Sequence, residues 1–304
     1  MTKVYGRPDV TGRCPDGRPT MKFPYKCRTT GRDDSMKVRH PQFDFSAMTA
    51  HWAPNHEWAH NMNSSGIIPS AIEPFLIKVM RRAKTALDPV ADAELIADID
   101  IFNRQESQQY RIHEDFNQMV IDSGYPELAR FDDDLKAEYA EFLKTKSLVW
   151  LLGYCEGFES LAGSGSSNWV DNGWGSYLEG AHPQAVAMWR WHLAEEYEHR
   201  TVVHRAFLRF AKGTPDEIYN FRIELFTFCV GHMRAHTAAL RRYLIDTDRA
   251  SMTDAERTES EQREAAVDEA LAGQQPLIAG VLEKNYDPID IPAPKLLDEV
   301  LARY

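Results

Sequence analysis

Four cysteines in 304 residues are too few for a disulfide framework. Cys155 and Cys229 fall in apolar, helical stretches and read as buried thiols. Cys14 and Cys27 share an irregular N-terminal stretch, at a spacing that fits no zinc motif. The compartment this implies is reducing, the cytoplasm. Long hydrophobic runs are also missing. "LFTFCVG" at 225–231 is the strongest candidate, far short of the roughly 18 residues of a membrane span. The polar, Gly- and Pro-rich N-terminus does not read as a signal peptide. Basic charge is short overall: the net charge of −11 argues against nucleic acid as the main partner. That charge is uneven, with ten Lys and Arg against four Asp and Glu in residues 1–40, about +6, leaving about −17 on the remainder. A basic arm on an acidic body most simply lies on that body. Strand signals are nearly absent.

What is present is helical period. "IIPSAIEPFLIKVMRRAKTAL" reads as an apolar helix with prolines near its start, where they cost least. Residues 89–124 read as one long helix opened by Pro89 and closed by Gly124, and residues 132–163 as another with aspartates at its entrance. Residues 183–213, 215–246 and 253–273 follow as three more helices, and the tail is extended and then briefly helical. The stretch 163–183, "GSGSSNWVDNGWGSYLEGAHP", reads as a loop long enough to be a lid, or as a surface excursion pinned by Trp169 and Trp174. The expected organisation is all-α: an extended basic arm over 1–45, a metal-binding bundle over 46–213, and additional C-terminal helices over 214–304 packing on it.

The chemistry lies on the apolar faces of four helices. Glu196 and His199 are three apart, so both leave one face about a turn apart. That is the spacing in which a carboxylate bridges two metals while the imidazole binds one of them. His192 lies a turn earlier on the same face, flanked by Glu195. On the 89–124 helix Glu106, Gln109 and His113 fall on one stripe. Glu156 sits in "LLGYCEGFES" with Glu159 a turn on, and Glu73 sits in "SAIEPFLIKV". An unpaired buried carboxylate costs several kcal/mol. One on each of four helices is tolerable only with cations, and Lys and Arg are scarce on these faces. Oxygen-rich ligation with one or two imidazoles suits iron or manganese better than structural zinc. Taken singly, Glu156 could instead cap a neighbouring helix or pair with an arginine, and Glu73 could sit in a first helical turn. His232 and His236 are at i, i+4 but lack an obvious third ligand. His51, His56 and His60 read as packing groups or groups behind the ligands.

"VRHPQFDF" with "HW" at 38–52, "IEPF" at 72–75, "RQESQQYRIH" at 104–113 and "WRWHLAEEYEHRTV" at 189–202 resemble the bacterial family named predicted metal-dependent hydrolases. The resemblance covers roughly residues 38–210. It implies a ferritin-like four-helix bundle of the carboxylate-bridged di-iron type. It implies Glu73, Glu106, Glu156, Glu196 and His199 as metal ligands. The chain departs from the pattern at Gln109, where the family has histidine, although His113 matches a histidine the family also shows. It departs again at Gly157, where histidine usually follows the glutamate, and at Glu159, which replaces a small polar residue.

The expectation drawn from all this is an enzyme with two irons per chain, manganese being possible. It would be an oxidase or oxygenase that uses dioxygen and electrons from an external donor on a small, partly apolar substrate. The metal-ligand candidates are Glu73, Glu106, His113, Glu156, Glu159, His192, Glu196 and His199; Tyr110, Tyr197 and Gln109 are candidates for tuning the chemistry. The alternatives are a Lewis-acid di-metal hydrolase and a non-enzymatic bundle that binds metal or a partner. A homodimer is a further expectation.

Overall fold

The computed structural model describes residues 36–273 and 279–304. Its helices are α1 (His56–Ser65), α2 (Ile67–Ala86), α3 (Ala93–Asp122), α4 (Leu128–Thr145), α5 (Leu148–Val170), α6 (Pro183–His199), α7 (Val202–Phe210), α8 (Pro215–Arg249) and α9 (Asp254–Ala272), with a last short helix at Leu297–Leu301. Among the described residues there is no strand, so the all-α bundle read from the periodicity holds. No described helix is long and apolar enough to cross a membrane. Cys155 and Cys229 are buried free thiols; Cys14 and Cys27 lie outside the described residues.

Local chemistry explains where the helices start. Asn55 and Ser147 cap α1 and α5, accepting from the N–H groups of Trp58 and Trp150. Thr214 with Glu217 and Thr253 with Glu256 form capping boxes on α8 and α9. Pro183 opens α6 in its first turn. α2 packs along α3, α5 lies against α6, α7 and α8, and α1 lies against α8. One apolar core runs through these contacts, from Met36 to Val267.

Three boundaries differ from the sequence reading. The single helix expected over 132–163 is two, because Lys146 and Ser147 are extended (ψ 149° and 156°) and Ser147 starts a new helix. The helix expected over 183–213 breaks at Arg200 and Thr201. There the Arg200 guanidinium donates to the Tyr197 carbonyl (2.6 Å), and its Nε donates to Pro288 O (2.8 Å). The third difference removes most of the predicted loop: α5 continues through "GSGSS" to Val170. At Gly163 the end of α6 passes close by. A Cβ on Gly163 would stand 3.2 Å from that of Arg200, and Ser166 Oγ donates to the Gly163 carbonyl (2.8 Å). What remains, residues 171–182, is pinned to α1, with the Trp174 and Tyr177 rings tilted against Trp58 at centroid distances of 4.6 and 4.9 Å. Helix α1 itself has no counterpart in the sequence reading.

Residues 1–35 of the expected arm lie outside the described residues, but residues 36–45 run along the bundle. Phe43 packs on Trp191 with ring centroids 5.9 Å apart. Arg39 makes two bonds to Glu198, at 2.8 and 2.9 Å, and a third to Glu195 at 3.2 Å.

Candidate metal centre

Six side chains from four helices meet in the buried interior of the bundle: Glu73 from α2, Glu106 from α3, Glu159 from α5, and His192, Glu196 and His199 from α6. Glu196 is central. Its Oε1 stands 3.0 Å from His192 Nε2, and its Oε2 stands 3.2 Å from His199 Nε2. Each oxygen therefore belongs to a different group of donors. One group is Glu73, His192 and Glu196; the other is Glu106, Glu196 and His199. Within each group the donor atoms lie within 4.8 Å of one another. Glu73 Oε1 is 3.3 Å from His192 Nε2, and Glu106 Oε1 and Glu159 Oε2 are 3.2 and 3.5 Å from His199 Nε2.

The imidazoles are aimed from behind. With Nε2 of His192 turned to the carboxylates, its Nδ1–H donates to His113 Nε2 (2.7 Å). His199 Nδ1–H donates likewise to Gln105 Oε1 (3.2 Å), and the Gln105 amide donates to Glu198 (2.9 Å) and to the Lys37 carbonyl (3.0 Å). Glu198 is the carboxylate that Arg39 grips, so the N-terminal segment holds His199 in line through Glu198 and Gln105. Such partners fix the tautomer and orientation of a metal-binding histidine. His113, buried beside Trp189, stands one step back from the donors, and burial next to His192 pushes its pKa well down. The imidazole absent at Gln109 is thus replaced from another helix, by His192. Gln109 is fully buried; its amide donates to Glu195 (3.2 Å), while its Oε1 has no hydrogen-bond partner.

The carboxylates strain for a cation. Burial, and then the charges of Glu196 and Glu195, push Glu73 well above the usual carboxylate range. Burial and the charges of Glu73 and Glu196 do the same to Glu106, and burial with Glu196 and Glu106 does it to Glu159. Burial pushes Glu196 up too, but His199 and His192 outweigh it and bring the group down to about 2. Burial lifts Glu195 to about 7 against the pull of Arg39. Both carboxylate oxygens of Glu73, Glu106 and Glu159 are buried without any hydrogen bond, a costly arrangement unless an ion takes them up. The donor set fits a metal pair: hard oxygens with one imidazole per group.

Glu156 is not in this cluster. Its Oε1 accepts from Arg222 Nε (2.7 Å), stands 2.8 Å from His204 Nδ1, and accepts from Ser160 Oγ (3.0 Å). Burial alone would raise it, but Arg222 and His204 hold it at about 2. The structure therefore brings Glu159 to the donors and leaves Glu156 as the anion of a buried ion pair. Gly157 faces α8, where a Cβ would stand 3.2 Å from Phe226 Cα and 3.1 Å from Cys229 Cβ; no histidine fits there. Tyr110 is half-buried beneath Arg111. Tyr197 donates its hydroxyl to the Ile291 carbonyl (3.0 Å). Neither belongs to the two donor groups.

Two smaller clusters lie elsewhere. Asp248 on α8 accepts from His51 (2.7 Å), His60 (2.9 Å) and the Tyr125 hydroxyl, tying α1 to α8. His232 and His236 find a third partner in Glu138 of α4, at 2.7 and 3.2 Å. Nothing in the local sequence around Glu138 marks it. Sequence reasoning also missed Arg39, Gln105 and Glu198; the basic charge of the arm was the one available signal.

A cavity of about 270 Å³ opens onto the cluster, with Glu196 and His192 in its wall. Most of the rest of its lining is apolar, including Phe158, Leu161 and Leu193; the exceptions are Ser65 and, from α8, Arg234 and Thr237. No residue of 171–182 lines it, so the expected lid does not cover this entrance.

A family model described as predicted metal-dependent hydrolase matches residues 37–291. No curated protein and no solved structure matches the chain. The family match corrects the expectation of a dioxygen-activating oxidase or oxygenase: the family is hydrolytic by description. The physical source of the error is that oxygen-rich donors between apolar walls serve a redox-silent Lewis acid as well as an oxygen-activating iron, so the donor set does not choose between them.

Proposed function

This chain belongs to the predicted metal-dependent hydrolase family, and we propose that it is a di-metal hydrolase whose site is the Glu73, Glu106, Glu159, His192, Glu196 and His199 cluster. The observation that carries this reading is the division of Glu196, one oxygen toward each donor group. Charge supports it. Four carboxylates with two neutral imidazoles balance two divalent cations, and little other positive charge reaches the cluster. Manganese or iron(II) suits the donors. When bound, the pair would supply Lewis acidity, lowering the pKa of a water and polarising the scissile bond.

The chain's own residues do the rest. Glu73 and His192 would hold one ion and Glu106, Glu159 and His199 the other, with Glu196 common to both donor groups. His113 and Gln105 keep the two imidazoles pointed inward. Gln109 Oε1, free of partners, is available to accept a hydrogen bond from water beside Glu106. Phe158, Leu161 and Leu193 give the cavity apolar walls, which strengthens the electrostatics beside them. Hydrolysis adds the oxygen of water to the electrophilic atom, breaks its bond to the leaving group, and returns the proton to that group.

The test is release of 4-nitrophenolate from 4-nitrophenyl esters under anaerobic conditions by protein loaded with manganese. The expected result is turnover that a chelator abolishes and that Glu196→Ala lowers by at least about a hundredfold, a typical loss when charge stabilisation is removed from an active site. Turnover that needs dioxygen and a reductant, or that survives both chelator and substitution, sinks the reading.

A further inference from the structure

The cavity beside the cluster has a direction. Its inner wall carries His192 and Glu196, both buried. Its outer wall carries Arg234, which is exposed. Between them the lining is almost wholly apolar, from Ile68 and Pro69 at the start of α2, Phe158 and Leu161 on α5, and Met233 on α8. Apart from Glu196 and His192, Arg234 is the lone ionisable side chain in this lining. It makes no ion pair or side-chain hydrogen bond among the described residues, although most buried or half-buried arginines of the molecule are engaged. From Val230 to Leu240 its helix carries no acidic residue. A free guanidinium at the mouth of an apolar shaft, in a chain of net charge −11, is a local anchor for an anion.

We infer that the site takes a small amphipathic anion: an apolar body in the cavity, an anionic group on Arg234, and the reacting bond at the inner end beside His192 and Glu196. The volume of about 270 Å³ falls just under the range of roughly 300–1,000 Å³ for drug-sized ligands, so the body is a short chain or a single ring. Arg234 is a specificity-determining residue in this arrangement and touches no reacting atom. The inference rests on the hydrolase reading only for the reaction at the inner end; the binding itself does not depend on it.

Alkanesulfonates are suitable probes because a sulfonate is a poor metal ligand and stays charged. Binding to the full-length protein, metal-loaded and metal-free, is followed by isothermal titration calorimetry. Octanesulfonate is expected to bind about tenfold more tightly than hexanesulfonate, from two more buried methylenes. Arg234→Gln is expected to weaken octanesulfonate about fivefold, near the ceiling for a solvent-exposed ion pair, and to leave octanol unchanged. Ala162→Phe, which fills the shaft, is expected to abolish both. Because Arg234 is exposed, its variant is not expected to compromise folding. Equal binding of octanesulfonate by parent and Arg234→Gln, no dependence on chain length, or no binding at all overturns the inference. If the binding series holds while metal-dependent hydrolysis is absent, the inference stands and the hydrolase reading falls.

Discussion

Replacing Glu156 by alanine is expected to destabilise the protein by about 3–5 kcal/mol, the cost of leaving one member of a buried ion pair without its partner. Arg222 is the member left behind. It is buried, donates to Glu156 through Nε (2.7 Å) and to the Val281 carbonyl through Nη1 (2.8 Å), and has no second carboxylate within reach among the described residues. Metal content is expected to be unchanged. The folded carboxyl lies at about 2 against an ordinary 4.5. Its contribution is therefore present above 4.5 and lost as pH falls toward 2, and the difference between parent and variant narrows over that range. Denaturant unfolding of both proteins from pH 7 to pH 3, with elemental analysis at pH 7, checks this. A variant of normal stability that has lost metal would return Glu156 to the metal site and remove Glu159 from it.

The carboxylates of the cluster itself are expected to behave in the opposite way. In metal-free protein, Glu73→Gln or Glu159→Gln is expected to raise stability at neutral pH. Both groups are pushed up by burial and by neighbouring carboxylates, so the folded state holds a proton that the unfolded chain releases, and stability falls as pH rises past the ordinary value. Adding manganese is expected to reverse the order, because binding to the folded state stabilises the parent and the variant lacks a donor. Melting curves with and without metal read both signs. Variants less stable than the parent in the absence of metal would show that these carboxylates are structural.

Much of the cluster was legible because a carboxylate on an apolar helical face is conspicuous. Glu73, Glu106, Glu196 and His199 were readable from their own helices, and His192 from its stripe with Glu196. The choice between Glu156 and Glu159 was not readable. Both sit on one apolar helix a turn apart, and what separates them is Arg222, 66 residues away on another helix. The Arg39, Glu198 and Gln105 relay was invisible for the same reason: each bond in it joins distant parts of the chain. Helix type came through the period, whereas the number of helices did not: α1 was missed, and the breaks at Ser147 and Arg200 depended on a cap and on side-chain bonds to carbonyls. "GSGSS" looked like a loop because small polar residues serve turns and close helix contacts alike; only the approach of α6 decides.

The central claim is that Glu196 joins two metal sites. Elemental analysis of protein produced with manganese or iron supplied, alongside Glu196→Ala and Glu73→Gln, tests it most directly. The account predicts two metals per chain in the parent, one in Glu73→Gln and none in Glu196→Ala, with helical content unchanged in all three. A folded parent without metal, or full metal in Glu196→Ala, would contradict it.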